Sequence, residues 1–305
     1  MMGEILAFLL RLTGLPALIR ARLGRNGAAI LVYHDPAPEA FDQHLAFLRR
    51  HYRIVPFDDL VDAIEDGDWS RIPPHAVVIH IDDGYRRNAQ LLEICQQHGV
   101  RPTVYLCSHI VATHRRFWSK LKDGRAKQLR LLGHERLLQK LRDEAGFTTE
   151  REYPERQALS RDEIHRMRGD VQFQSHGRFH FSLLTFCSAT LKTDLEESRA
   201  RVEALTGQPC EHFAFPYGDY GPRECEAVRR SGYRTARTTE PGWVRAGVDP
   251  YRLPILADVP GDASLNLLQA HLSGIPRVLK RLSYRTITRH LHALRRSVLA
   301  NRRFF

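Results

Sequence analysis

Two adjacent carboxylates followed by a glycine, Asp82-Asp83-Gly84, close the apolar run AVVIHI (76–81), and two histidines four residues apart, His176 and His180, follow the run VQFQS. As a bare string, Asp-Asp-Gly is a turn, because both residue types are favoured there. A metal-assisted hydrolase uses such a pair differently: one carboxylate binds the metal while a second takes a proton from water. Histidines at i and i+4, where a strand exits into a loop, can converge on one ion, and imidazole suits zinc and neighbouring transition metals. In a chain with 16 histidines that spacing also arises by chance. Position singles this pair out, since it and the carboxylate pair both leave predicted strands of one sheet. Two histidines and one aspartate make an open site with positions left for water and substrate.

Two further segments belong to the same rim. His34 ends the run AILVYH, where a histidine is either a hydrogen-bonded core residue or a group facing the site. Phe215-Pro216-Tyr217-Gly218 ends EHFAF. Proline and glycine preset a turn there, and in a hydrolase the same turn exposes a backbone N–H towards a developing oxyanion.

The elements that must position these residues alternate. From Ala28, short β-rich runs (AAILVYH, AVVIHID, RPTVYLC, VQFQS, EHFAFP, YRTARTT) are separated by helical patterns such as Phe41, His44, Leu45 and Leu48. Parallel strands joined by crossover helices give this pattern. Seven or so βα units suit a (β/α) barrel, in which chemistry gathers at the carboxyl ends of the strands. Between Cys107 and Val171 a charged, leucine-spaced stretch reads as a helical insertion at about 113–160. Ser160-Arg-Asp-Glu163 has the form of a capping box opening a helix through Met167. Beyond Gly261 the pattern is helical and rich in arginine.

The 305 residues are 43% hydrophobic and 27% charged, an ordinary globular composition. The net charge of +11 is uneven. Residues 263–305 contribute +9 with no acidic residue and residues 1–26 contribute +3, leaving residues 27–262 one charge below neutral. The chain therefore divides into an apolar, basic segment 1–26, a near-neutral domain 27–262 that holds all the candidate site residues named so far, and a basic helical extension 263–305. Five widely spaced cysteines form no CxxC pair, which indicates neither a disulfide framework nor a cysteine zinc site. The first residues carry Glu4 and Arg11 around the apolar run and no small-residue cleavage site. A location in the cytoplasm or peripheral to the inner membrane is thus expected over secretion. Zinc-finger spacing and RNA-recognition aromatics are absent, and a basic tail alone gives only non-specific, salt-sensitive nucleic-acid binding.

HIDDGY (80–85), SHGRFH (175–180) and FAFPYG (213–218), in that order, resemble the first three motifs of the polysaccharide deacetylases, the NodB-homology metal-dependent N-deacetylases of carbohydrate esterase family 4. LVYH (31–34), Tyr52-Arg-Ile-Val55 and Leu253-Pro254 look like the exopolysaccharide branch. The resemblance covers about residues 28–275 and implies a distorted (β/α)7 barrel. It also implies roles: Asp82 as general base; Asp83, His176 and His180 as ligands of a divalent metal, most simply zinc; the Tyr217 N–H on the oxyanion; and His34 as the acid for the leaving amine. A later Leu268-Gln-Ala-His271 offers the alternative acid. Pro216, Tyr217 and Arg252 are the expected substrate-binding residues.

The sequence departs from the family at two places. Gly177 stands where the motif often has Ser or Thr, and Ala214 where it often has an Arg that orients the base. Arg252 is the candidate substitute for that Arg. The expected activity is removal of N-acetyl groups from an N-acetylhexosamine glycan. The alternatives are a lipid-linked sugar or glycolipid at an anionic membrane, reached through the basic ends, and a non-catalytic glycan-binding relic.

Overall fold

The computed structural model describes residues 2–121 and 126–275. The apolar runs become strands: β1 (Ala28–Tyr33), β2 (Arg53–Ile54), β3 (Ala76–Ile81), β4 (Thr103–Leu106), β5 (Gln172–Ser175), β6 (His212–Ala214), β7 (Thr235–Pro241), β8 (Leu253–Ile255) and β9 (Ala257–Asp258). They pair in parallel in the order β8-β7-β6-β5-β4-β3-β1-β9, with β2 beside the start of β3. Only Leu256 separates β8 from β9, and its N–H donates to the Ile30 carbonyl at 2.9 Å. The chain thus steps from one edge of the sheet onto the other, and the sheet becomes a nearly closed barrel of eight strands. The distorted (β/α) barrel expected from the sequence is the fold observed.

β1 shows how the barrel divides its core. Ala29, Leu31 and Tyr33 pack outward with Phe41, Leu45 and Leu48, while Ala28, Ile30 and Val32 join Phe57, Leu253 and Ile255. Val32 and Ile255 also line the cleft, so the second set points into the barrel. Both faces are buried, which is why the strand reads as continuously apolar rather than alternating.

Eleven helices surround the described barrel: α1 (Met2–Leu12), α2 (Leu15–Leu23), α3 (Pro38–His51), α4 (Phe57–Asp66), α5 (Leu92–His98), α6 (Ala126–Leu129), α7 (His134–Ala145), α8 (Arg161–Met167), α9 (Ser188–Thr206), α10 (Pro222–Arg230) and α11 (Leu265–Leu272). α3 buries Phe41, His44, Leu45 and Leu48, the face its spacing predicts. Phe57, at the start of α4, sits edge-on to His80 and His212 inside the barrel.

α6 and α7 belong to the excursion between β4 and β5. Its two ends meet, because the Ala112 N–H donates to the Leu159 carbonyl at 2.7 Å and the Leu159 N–H to the Gly84 carbonyl at 2.9 Å. Leu137 and Leu141 of α7 are buried, and Trp118 is carried down to the strand ends. At the N-terminal end, α1 lies against α11, held by hydrogen bonds from Ser264 to Glu4 and from Arg11 to Asn266. α11 is the described part of the expected basic extension, whose residues 276–305 lie outside the described residues.

The capping box forms as read. Ser160 Oγ accepts from the Glu163 N–H at 3.2 Å, and the Glu163 carboxylate accepts from the Ser160 N–H at 2.7 Å. Ser160→Ala should therefore cost about 1 kcal/mol of stability. A lower urea midpoint at unchanged slope is the expected result.

Candidate active site

The ends of β1, β3, β5, β6 and β9 deliver residues to one cleft of about 1020 Å³. His34 follows β1, Asp82 and Asp83 follow β3, His176 follows β5, Tyr217 follows β6, and Asp258 ends β9. All but Asp258 and His34 are largely withdrawn from solvent. The Asp82 N–H donates to the Tyr33 carbonyl at 2.8 Å, and Asn88 donates to the His34 carbonyl at 3.0 Å, which locks the ends of β1 and β3 together.

Asp83, His176 and His180 converge, with one ligand atom from each lying within 4.8 Å of the others. His180 Nε2 is 3.2 Å and His176 Nε2 3.6 Å from Asp83 Oδ1. His176 Nδ1 lies 2.7 Å from the Ala214 carbonyl, an oxygen that only accepts, so Nδ1 carries the proton and Nε2 presents its lone pair to the cluster. Burial drives both imidazoles towards neutral, His180 down to about 4. A neutral imidazole is the form that binds a metal.

Asp82 lies outside this set. Arg237 Nη2 donates to both its oxygens, at 2.7 and 2.5 Å. Burial alone would raise the Asp82 pKa, but the Arg237 charge overrides it and holds the carboxyl below its usual value. The guanidinium is 1% exposed and lies over the Tyr105 ring, 5.3 Å from its centroid.

Arg237 is the residue that sequence reasoning missed, and Arg252 does not take its place. Arg252 is 50% exposed and donates to the Tyr220 hydroxyl at 3.0 Å, beside Glu240 on the rim. Arg237 is the register partner of Ala214, so the guanidinium expected at position 214 comes from the neighbouring strand, β7. Paired residues of parallel strands face the same side, which lets Ala214 leave the space that Arg237 crosses. The signal was present in YRTARTT: an arginine within a buried strand needs a partner.

His34 stands opposite. Its Nε2 is 3.9 Å from Asp82 and its Nδ1 3.5 Å from Asp258, and the side chain is 41% exposed. Burial opposes its charge, but Asp82, Asp83 and Asp258 together outweigh that and raise its pKa. His271 of α11 also lines the cleft, so both candidate acids reach it. Of the substrate-binding expectations, Tyr217 lines the cleft, Pro216 is buried beneath it, and Arg252 sits beyond the rim.

Backbone strain gathers here. Five described residues other than glycine have positive φ, and three of them, Asp83, His180 and Tyr217, line the cleft. Such conformations persist only where the surroundings over-determine them. Trp118 Nε1 donates to the His180 carbonyl at 3.0 Å, and Tyr217 sits edge-on to the His180 ring. The Gly177 departure has a local cause as well. At φ +75°, a Cβ there would meet Asp194 Oδ1 at 3.0 Å, and that oxygen accepts the Arg178 N–H at 3.3 Å.

Removing Arg237 leaves a buried carboxylate unpaired, so Arg237→Met should destabilise by about 3–5 kcal/mol, whereas Arg252→Ala should stay within about 0.5 kcal/mol. In a double-mutant cycle, adding Asp82→Asn to Arg237→Met should recover a large part of the loss. Equal costs at the two arginines would remove Arg237 as the partner of Asp82.

Solved structures with the same fold include the Streptococcus pyogenes deacetylase PplD in complex with acetate (16% identity, TM-score 0.59, covering 80% of this chain and 98% of that one). IcaB from Ammonifex degensii is another (17%, 0.57, 83% and 98%), as is the de-N-acetylase from Aggregatibacter actinomycetemcomitans (14%, 0.58, 80% and 99%). At such identities the likeness concerns the fold. No curated protein matches the sequence. The polysaccharide deacetylase signature, however, matches residues 70–236, more than half of the chain and the span that carries the three motifs, ending one residue before Arg237. The chain belongs to the polysaccharide deacetylase family.

Proposed function

We propose that this enzyme is a metal-dependent N-deacetylase of an N-acetylhexosamine-containing glycan of the exopolysaccharide type. The observation that carries the reading is a division of labour in one cleft: a compact donor set of Asp83, His176 and His180, and beside it a second ionised carboxylate, Asp82, outside that set. One carboxylate and two neutral imidazoles fit a divalent ion of the zinc type and leave positions open. Those three residues would hold the ion, which when bound polarises the amide carbonyl and acidifies water.

The chain's own groups do the rest. Asp82, kept ionised and oriented by Arg237, accepts the proton of the attacking water as its oxygen bonds to the acyl carbon. The Tyr217 N–H donates to the oxygen that gains negative charge. The C–N bond then breaks, and His34 gives its proton to the departing nitrogen, so that acetate and a free amine result. Asp258 holds His34 from the far side and favours its charged form. A glycan-binding relic has no need for a full set of ligands, base and acid, and the presence of all of them argues against that reading.

A sugar carried on a lipid is the second reading of the substrate. Exposed apolar side chains on α1 and α2 favour it.

Acetate release from a panel of free and lipid-linked N-acetylated sugars should stop on chelation and return with zinc or a similar ion. Asp82→Asn should keep the bound metal, measured by elemental analysis, while turnover falls by about 10²–10⁴-fold. Full turnover in metal-free protein would end the proposal.

The acid gives a pH signature. His34 acts in its protonated form, so activity is present below its raised pKa and lost as pH rises through it. Asp258→Asn removes one of the charges that raise that pKa, and the alkaline limb of the pH–rate profile should move to lower pH. An unmoved limb, with His271→Ala inactive and His34→Ala active, would transfer the acid role to His271.

A further inference from the structure

Nine large apolar side chains are exposed among the described residues, and seven of them lie on α1 and α2. Ile5, Leu6, Phe8, Leu9 and Leu12 of α1 and Leu18 of α2 lead this set, with Phe8 45% and Leu12 65% exposed. α1 is not loosely attached. Ala7 is buried and Leu10 half-buried, and Glu4 and Arg11 bond across to Ser264 and Asn266 at α11. Residues 4, 7 and 11 thus face the barrel, and the apolar side turned outward has no covering among the described residues. Contiguous exposed apolar surface of this kind marks an interaction site.

Charge selects the occupant. The face is built from a basic segment, since residues 1–26 carry +3, and residues 276–305, which follow α11 in the sequence, carry +9 with no acidic residue. A second copy docked on this face would set like charges against like. An anionic lipid surface accepts both features, the apolar side chains below the headgroups and the arginines at their level.

We infer that the outward face of α1 and α2 docks the enzyme on an anionic lipid bilayer. The contact is peripheral, since no described helix is long and apolar enough to cross a membrane. α11 also carries His271 into the cleft, so docking through α1 brings the catalytic mouth close to the lipid plane. The inference deepens the lipid-linked reading of the substrate, and its test reads binding without turnover, so that failure of either is seen separately.

The full chain is mixed with sedimenting vesicles of pure phosphatidylcholine or of equal parts phosphatidylcholine and phosphatidylglycerol. Binding to the anionic vesicles should exceed that to the neutral ones by about tenfold or more, and should weaken when salt near 1 M cuts the screening length from about 10 Å to about 3 Å. The double variant Phe8→Glu/Leu12→Glu should lose about tenfold or more in anionic binding. The milder Phe8→Ser/Leu12→Ser should lose less, with both variants keeping the wild-type melting midpoint. Equal vesicle binding by variant and wild type overturns the inference, as does wild type that binds neither vesicle. Wild type that self-associates and is made monomeric by the substitutions, without binding vesicles, assigns the face to a second copy instead.

Discussion

Two neighbouring carboxylates at the mouth of a nearly closed barrel repel one another and have given up the water that would screen them. The surroundings of Asp82 and Asp83 answer that cost in two different ways. Asp82 receives a full positive charge from Arg237, buried with it and bonded to both its oxygens. Asp83 faces His176 and His180, whose burial drives them towards neutral. Lone pairs then converge on one point with a single negative charge among them, an arrangement that a divalent cation completes. The asymmetry turns two chemically identical residues into a candidate base and a candidate ligand.

How much of this is legible in the sequence depends on how far apart the partners lie. Asp82-Asp83-Gly84, His176-to-His180 and Pro216-Tyr217-Gly218 are each contiguous and each follow a run long enough to be read as a strand, so their meeting follows from the barrel itself. The pair of Arg237 with Asp82 spans 155 residues and depends on register between β6 and β7. No local pattern encodes a register. Asp258 was illegible for another reason, since β8 and β9 have three and two residues, too few for any periodicity. β2 escaped notice in the same way. The inserted helices were readable as helices, but not the descent of Trp118 onto the His180 carbonyl, which only the folded excursion creates.

That excursion explains why the strained residues stay strained. Gly84, at φ +74°, has Leu106 so close that a Cβ would come within 2.7 Å of it, and the Gly84 carbonyl accepts the Leu159 N–H where the insertion returns. Trp118 fixes the loop holding His180, while Arg130 of the insertion lies over the Tyr217 ring and pairs with Asp219 at 3.2 Å. Asp83, His180 and Tyr217 hold positive φ between the barrel below and these contacts above. Residues held in this way need little reorganisation when a substrate arrives, which is where preorganised polar groups gain their advantage over water.

The three histidines nearest the carboxylates complete the logic, because one environment separates them. His176 and His180 are enclosed, and burial dominates, so each leans to the neutral form that offers a lone pair. His34 sits at the rim with Asp82 on one side and Asp258 on the other, and there the carboxylates dominate, so it leans to the charged form that offers a proton. Chemically identical groups pushed in opposite directions within one cleft are what acid–base assignments rest on. The same carboxylate, Asp82, bears on both proton transfers. It takes its own charge balance from Arg237 and still faces His34 at 3.9 Å, so the group that would accept the first proton also helps to keep the second one ready.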